Sequence, residues 1–240
     1  TITRVADIAK KAEEIREKFD RITFIVGNEL PIETRGLIVD APTYGQRNDE
    51  IQKCDMRKPE YQNRLNEFLK KLIVVTSENF GGKITYASTW WEPRIRWEEL
   101  NVDIISSNQF YHRYNNADQI SESIKQQKQT GKPIYITEFG CTTFEGAFEA
   151  GGGSWNPEFY KDKKYSQEEQ AKAIEWYVNL FNKIKVDGIF LAVFLDTPED
   201  DIRSWGIFRC RYYKSNTVNG WPNTKPERKL GCYMYKSYIH

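Results

Sequence analysis

Phe24-Ile25-Val26-Gly27-Asn28-Glu29 is a short apolar run that ends in a carboxylate, and Ile134-Tyr135-Ile136-Thr137-Glu138 repeats the pattern before Phe139-Gly140-Cys141. A continuous apolar run of this length suits a strand covered on both faces, as in a parallel sheet. Outward from the first run, Val5, Ile8, Ala12, Ile15 and Phe19 recur at three-four spacing among Lys, Glu and Arg. That spacing predicts an amphipathic helix ahead of the strand Ile22–Val26. Tyr61, Leu65, Phe68 and Leu72 predict a second helix. Further strands are expected at Ile84–Ala87, Val102–Ser106, Ile134–Thr137 and Ile189–Leu195.

A polar helix over Ala117–Gln129 should stop at Gly131, with Pro133 just beyond. Ser166 and Glu169 form a capping-box pattern ahead of Ile174, Tyr177, Val178, Phe181 and Ile184 on one helix face. Leu30–Pro59 and Phe144–Lys164 read as long loops, and the tail from Arg203 as loop followed by a short helix, Leu230–Ile239.

Strand and helix therefore alternate, the mark of an α/β fold with a parallel sheet and crossover helices. The longest loops follow strands and gather at the C-terminal edge of the sheet. In a (β/α)8 TIM barrel that edge carries the chemistry. Five strands are fewer than eight, and the chain opens on a helix. The expectation is a single catalytic barrel domain over residues 1–240 that supplies roughly strands four to eight, with the first three βα units outside this sequence. The alternative is an open, doubly wound five-stranded sheet. The loops on one edge and the lack of a Gly-rich nucleotide loop favour the barrel.

The 240 residues hold 35 basic and 34 acidic side chains, a net charge of +1. That balance gives no electrostatic case for nucleic acid or an anionic membrane. No apolar run is long enough for a membrane span. Cys54, Cys141, Cys210 and Cys232 form no C-x-x-C pair, and His112 and His240 are the two histidines. Neither a metal site nor a cofactor is expected, and free buried thiols are expected over bridges. The start, Thr1-Ile2-Thr3, is not a signal peptide and lacks an initiator Met. If an upstream signal was removed, the expected location is secreted or cell-surface, otherwise cytoplasmic. Oligomeric state stays open.

Two carboxylates on one mouth of a sheet are the minimum equipment for cutting a glycosidic bond, so Glu29 and Glu138 are the candidate catalytic pair. A carbohydrate partner also suits the aromatic content of 14 %, because the C–H faces of sugar rings stack on aromatic faces. Glu92 and Asp196 follow strands too and are candidates for binding sugar hydroxyls. His112 reads as a hydrogen-bonding neighbour rather than a catalyst.

Val26-Gly27-Asn28-Glu29 resembles the Asn-Glu motif that ends the fourth strand of retaining glycoside hydrolases of clan A, and Thr137-Glu138-Phe139-Gly140 resembles the motif that ends their seventh. Gly-Asn-Glu early and Glu-Phe-Gly-Cys late are most like β-1,3-glucan-acting enzymes and glucanosyltransferases. The resemblance implies a retaining hydrolase of a β-linked poly- or oligosaccharide, with a transglycosylase or a non-catalytic carbohydrate-binding protein as alternatives. It implies that Glu29 is the general acid/base and Glu138 the nucleophile. By the same resemblance Asn28 binds the sugar 2-hydroxyl, Tyr111 donates to the nucleophile, and Trp90 or Trp91 walls a subsite. The family usually carries a tryptophan at the end of strand eight. Here Phe194 stands in that stretch, or Trp205 from the next loop takes the place.

Overall fold

The computed structural model describes residues 2–19, 21–112, 115–151, 160–192, 208–209, 217–218, 221–222, 227–230 and 232. The chain divides into two compact units, one of Thr1–Asn108 with Gln126–Tyr135, the other of Gln109–Lys125 with Ile136–His240.

The first unit opens on helix α1, Ile2–Arg16, followed by strand β1, Thr23–Asn28. Two short helices come next, α2 at Leu30–Glu33 and α3 at Tyr44–Ile51, then the long α4, Pro59–Ser77. Strand β2 is Lys83–Thr89 and β3 is Ile105–Asn108, with one 3-10 turn at Trp97–Glu99 between them. β1 and β2 pair in parallel from Thr23 opposite Lys83 to Ile25 opposite Thr85, after which the register shifts and Asn28 faces Ala87. β2 and β3 are parallel, with Ala87 opposite Ser106 and Thr89 opposite Asn108. The amide of Ile105 donates to Pro133 (2.9 Å), which brings the start of β4, Ile134–Phe139, beside β3. Each strand thus lies beside the one before it, with no reversal of order. A doubly wound sheet reverses at a switch point, and a barrel does not.

Helices α1 and α4 pack on each other and on β1, and α4 also meets β2. Leu65 and Leu69 of α4 are fully buried, as is Ala9 of α1. Leu69→Ala leaves a cavity there and is expected to destabilise the protein by about 2–5 kcal/mol, read as a lower midpoint in urea. The inner residues of β2 and β3 are polar but satisfied. The Thr85 hydroxyl donates to the Ile104 carbonyl (2.8 Å), and that of Ser88 to the Ser106 carbonyl (2.9 Å).

In the second unit the remainder of β4 lies beside β5, Gly188–Leu191, and the amide of Ala192 donates to the Phe139 carbonyl (2.9 Å). Helix α5, Ala117–Lys128, begins in this unit. Helix α6, Gln167–Ile184, buries Ile174, Tyr177, Val178 and Phe181, the face expected from the sequence. Ser166 caps it by accepting from the Glu169 amide. Glu169 does not close the box but accepts from the Phe148 amide (3.4 Å), so it ties down the loop after β4. Two antiparallel pairs of two-residue strands follow, Phe208–Arg209 with Glu227–Arg228 and Thr217–Val218 with Trp221–Pro222.

The stretch 30–59 differs from the expected loop. Thr43 and Gln46 form a full capping box that starts α3, a local signal in a segment with little apolar periodicity. Cys54, Cys141 and Cys232 are free thiols, while Cys210 lies outside the described residues, as does most of the expected helix Leu230–Ile239. Among the described residues, no helix is long and apolar enough to cross a membrane.

Candidate active site

Glu29 sits one residue beyond β1 with φ 43° and ψ 45°, the left-handed region that a non-glycine residue seldom enters. Three local features bring it there. The register shift in β1 turns the end of the strand. Gly27 lets the chain fold back, since a Cβ there would lie 2.7 Å from the Leu30 side chain. Pro31 then sits in the first turn of α2, where its lack of an N–H costs nothing.

The side-chain amide of Asn108, at the end of β3, donates to Asn28 Oδ1 (2.9 Å) and Glu29 Oε1 (3.0 Å). Both N–H bonds of one amide are thereby used to hold the two motif residues in register. Burial raises the pKa of Glu29 above the ordinary glutamate value, the Asn108 hydrogen bond partly opposes this, and the charge of Glu33 adds to it. A carboxyl so placed keeps its proton to higher pH than an exposed one. Sequence reading singled out Glu29 and Asn28 but missed Asn108, whose one signal is a polar residue closing a buried strand.

Behind Glu29 lies Tyr86, a fully buried residue of β2. Its hydroxyl accepts from the Leu30 amide (3.0 Å) and donates to Glu92 Oε1 (2.6 Å). Burial pushes Tyr86 well above the usual phenol range, so it remains a donor. Burial likewise raises Glu92 well above the usual carboxyl range; its bond from Tyr86 opposes this and the charge of Glu29 adds to it. Trp90, directly after β2, is exposed, and Trp91 is half-buried.

In the second unit Glu138 is a half-buried residue of β4. Its carbonyl accepts from the Gln109 amide (2.7 Å), which places the segment leading to Tyr111 and His112 alongside it. The Tyr111 amide donates to the Tyr177 hydroxyl. Its ring packs on Phe148 (4.8 Å between centroids) and edge-on to Trp176 (5.4 Å). His112 pairs through its backbone with Asn115. A Cβ at Gly151 would come within 3.2 Å of the His112 ring, so the loop after β4 runs close against it. Phe194, Asp196 and Trp205 lie outside the described residues.

The fold is that of (β/α) barrel glycosidases. A β-1,4-mannanase structure of Glycoside Hydrolase Family 113 superposes with a TM-score of 0.59 at 18% identity, over 99% of this chain and 62% of that chain. A complex structure of a β-1,4-mannanase of the same family gives 0.54 at 19% identity, over 79% of this chain and 51% of that one. An endo-1,4-β-xylanase from Caldicellulosiruptor owensensis gives 0.52 at 15% identity, over 96% and 68%. The chain therefore spans between half and two thirds of the length of the two mannanase structures. A search of curated proteins gave no match. The family match begins after Glu29 and takes in Trp90, Trp91, Glu92, Tyr111, His112 and Glu138: over residues 50–193, more than half its length, the sequence fits Glycoside Hydrolase Family 113, and the chain belongs to that family.

Proposed function

We propose that this protein is a retaining glycoside hydrolase that cleaves a β-1,4-linked mannan by double displacement. The observation that carries this is the setting of Glu29: a carboxyl held in a left-handed turn at a strand end, with burial raising its pKa above the ordinary glutamate value. Unusual backbone of this kind persists where surrounding structure over-determines it, and it clusters at active sites. Family membership supports the class of reaction, and the β-1,4-mannanases among the superposed structures favour mannan as the substrate to propose.

In this mechanism Glu138 attacks the anomeric carbon while Glu29 gives its proton to the departing glycosidic oxygen. Water, or a second sugar in a transglycosylase, then attacks the glycosyl-enzyme as Glu29 takes its proton. Asn28 binds the sugar 2-hydroxyl. Because its Oδ1 is engaged by Asn108, its own amide N–H group is the part left to face the sugar. Tyr111 donates to Glu138, His112 neighbours the site, Trp90 or Trp91 walls a subsite, and Phe194 or Trp205 serves as a further platform.

The test is proton NMR of the products formed from mannohexaose. Shorter manno-oligosaccharides whose new reducing ends appear first as the β-anomer are expected. No cleavage, or an α-anomer first, sinks the proposal. A β-1,3-glucan is the second candidate substrate, favoured by the likeness of Gly27-Asn28-Glu29 and Glu138-Phe139-Gly140-Cys141 to β-1,3-glucan-acting enzymes. Laminarihexaose in parallel decides between the two, and products longer than the starting sugar would mark transfer.

A further inference from the structure

Glu92 has no part in the double displacement, yet its carboxyl lies close enough to feel the charge of Glu29. Its amide donates to the Thr89 carbonyl (3.3 Å), a turn that folds the loop after β2 back over that strand. One oxygen then accepts from Tyr86, and the other, Oε2, is buried with no hydrogen-bond partner among the described residues. A buried carboxyl with an unmatched oxygen costs stability. Its engaged oxygen acts on Tyr86, and Tyr86 acts on the Leu30 amide. That N–H belongs to the peptide unit joining Glu29 to Leu30, whose orientation is the ψ angle of Glu29.

We propose that Glu92 is a positioning residue for Glu29, holding through Tyr86 the left-handed turn that aims the acid/base carboxyl. This rests on the role of Glu29 given above. Without the restraint, Glu29 would relax toward ordinary backbone angles, because the left-handed region is unfavourable for an L-residue. Its carboxyl would then swing away from the leaving oxygen. In this chain of bonds Glu92 is the acceptor, its Oε1 taking the Tyr86 hydroxyl proton as a hydrogen bond.

The test compares two substrates. Mannohexaose needs its leaving oxygen protonated; 2,4-dinitrophenyl β-mannobioside does not. Glu92→Leu and Tyr86→Phe are each expected to lower kcat/KM on mannohexaose by about 10- to 100-fold. On the dinitrophenyl substrate kcat/KM should stay within about twofold, since its departure needs no proton. The double variant should lose no more than the worse single one, because both break the same chain of bonds. Glu92→Gln keeps an acceptor oxygen and should recover most of the loss. Equal losses on both substrates, additive losses in the double variant, or no recovery with Gln overturns the proposal.

Glu29→Gln is the control. If it loses mannohexaose turnover while Glu92→Leu and Tyr86→Phe keep theirs, only the positioning role fails. If it keeps that turnover, the acid/base role of Glu29 fails and takes the positioning role with it. A readout without substrate is the carbon-13 titration of the Glu29 carboxyl. In Tyr86→Phe, which removes one oxygen, the Glu29 pKa is expected to fall toward the ordinary glutamate value as the side chain reaches solvent. An unchanged titration overturns the proposal whatever the substrate proves to be.

Discussion

Glu138→Gln is expected to lower kcat on mannohexaose by about 10³-fold or more, a loss of more than about 4 kcal/mol of transition-state stabilisation. Binding of mannohexaose, read by calorimetry, should change by less than about threefold. The two outcomes separate because an amide fills the volume of the carboxylate but cannot form the glycosyl ester. The fold should not suffer. Glu138 is held through its backbone, by the Gln109 amide, and that contact survives any side-chain change. The next residue, Phe139, is fully buried against Tyr177 and Phe181 (5.5 Å each between centroids) and keeps the strand end in place.

Glu138→Gly supplies a sharper check. Azide entering the space of the lost side chain attacks an activated aryl β-mannoside once, from below the ring. One displacement inverts the anomeric centre, so the product should be the α-mannosyl azide. The β-azide, or a variant with unchanged turnover, removes Glu138 from the role of nucleophile.

The parts of this molecule that were legible in its sequence are those set by short-range pattern. The apolar runs at 22–26, 84–87 and 134–137 became β1, β2 and β4, and the three-four spacing of Leu65 and Leu72 became α4. Gly131, at φ 73°, follows α5 as its position implied. Helix α3 was missed because Tyr44–Ile51 has weak apolar periodicity, and its capping box was the one cue. Around the candidate site, the strand-end position of Asn28 and Glu29 could be read from the apolar run before them. The left-handed backbone of Glu29 could not. It depends on Tyr86, 56 positions from Leu30, and its carboxyl is held by Asn108, 79 positions away. Nor could the part played by Glu92 be read. The sequence suggested a sugar-binding carboxylate at a strand end, and the turn through Thr89 instead sends it inward to Tyr86. Contacts of this range follow from the packing of several elements together, which no local pattern records.

Glu29→Gln should separate the two substrates most widely. On mannohexaose kcat/KM is expected to fall by about 10²- to 10⁴-fold, the usual worth of a positioned acid, while on 2,4-dinitrophenyl β-mannobioside it should stay within about threefold. The pH dependence carries the sign. A general acid works only while protonated, and burial raises the Glu29 pKa above the ordinary glutamate value. The alkaline limb of kcat/KM on mannohexaose should therefore fall as pH rises through that raised pKa, and it should be missing from the Gln variant. In the proposed mechanism the nucleophile Glu138 attacks as the carboxylate, so any acid limb should remain in the Gln variant. In the proposed mechanism deglycosylation also needs Glu29, as a base. In Glu29→Ala the glycosyl-enzyme should accumulate on the dinitrophenyl substrate, lowering kcat and KM together. Azide needs no base and should restore kcat. It attacks after the first displacement, so two inversions return the original configuration and the product should be the β-mannosyl azide. An α-azide from this variant would assign the nucleophile to position 29 and reverse the roles of the two glutamates. An alkaline limb that persists in Glu29→Gln would give the proton to another group and remove Glu29 from the role of acid.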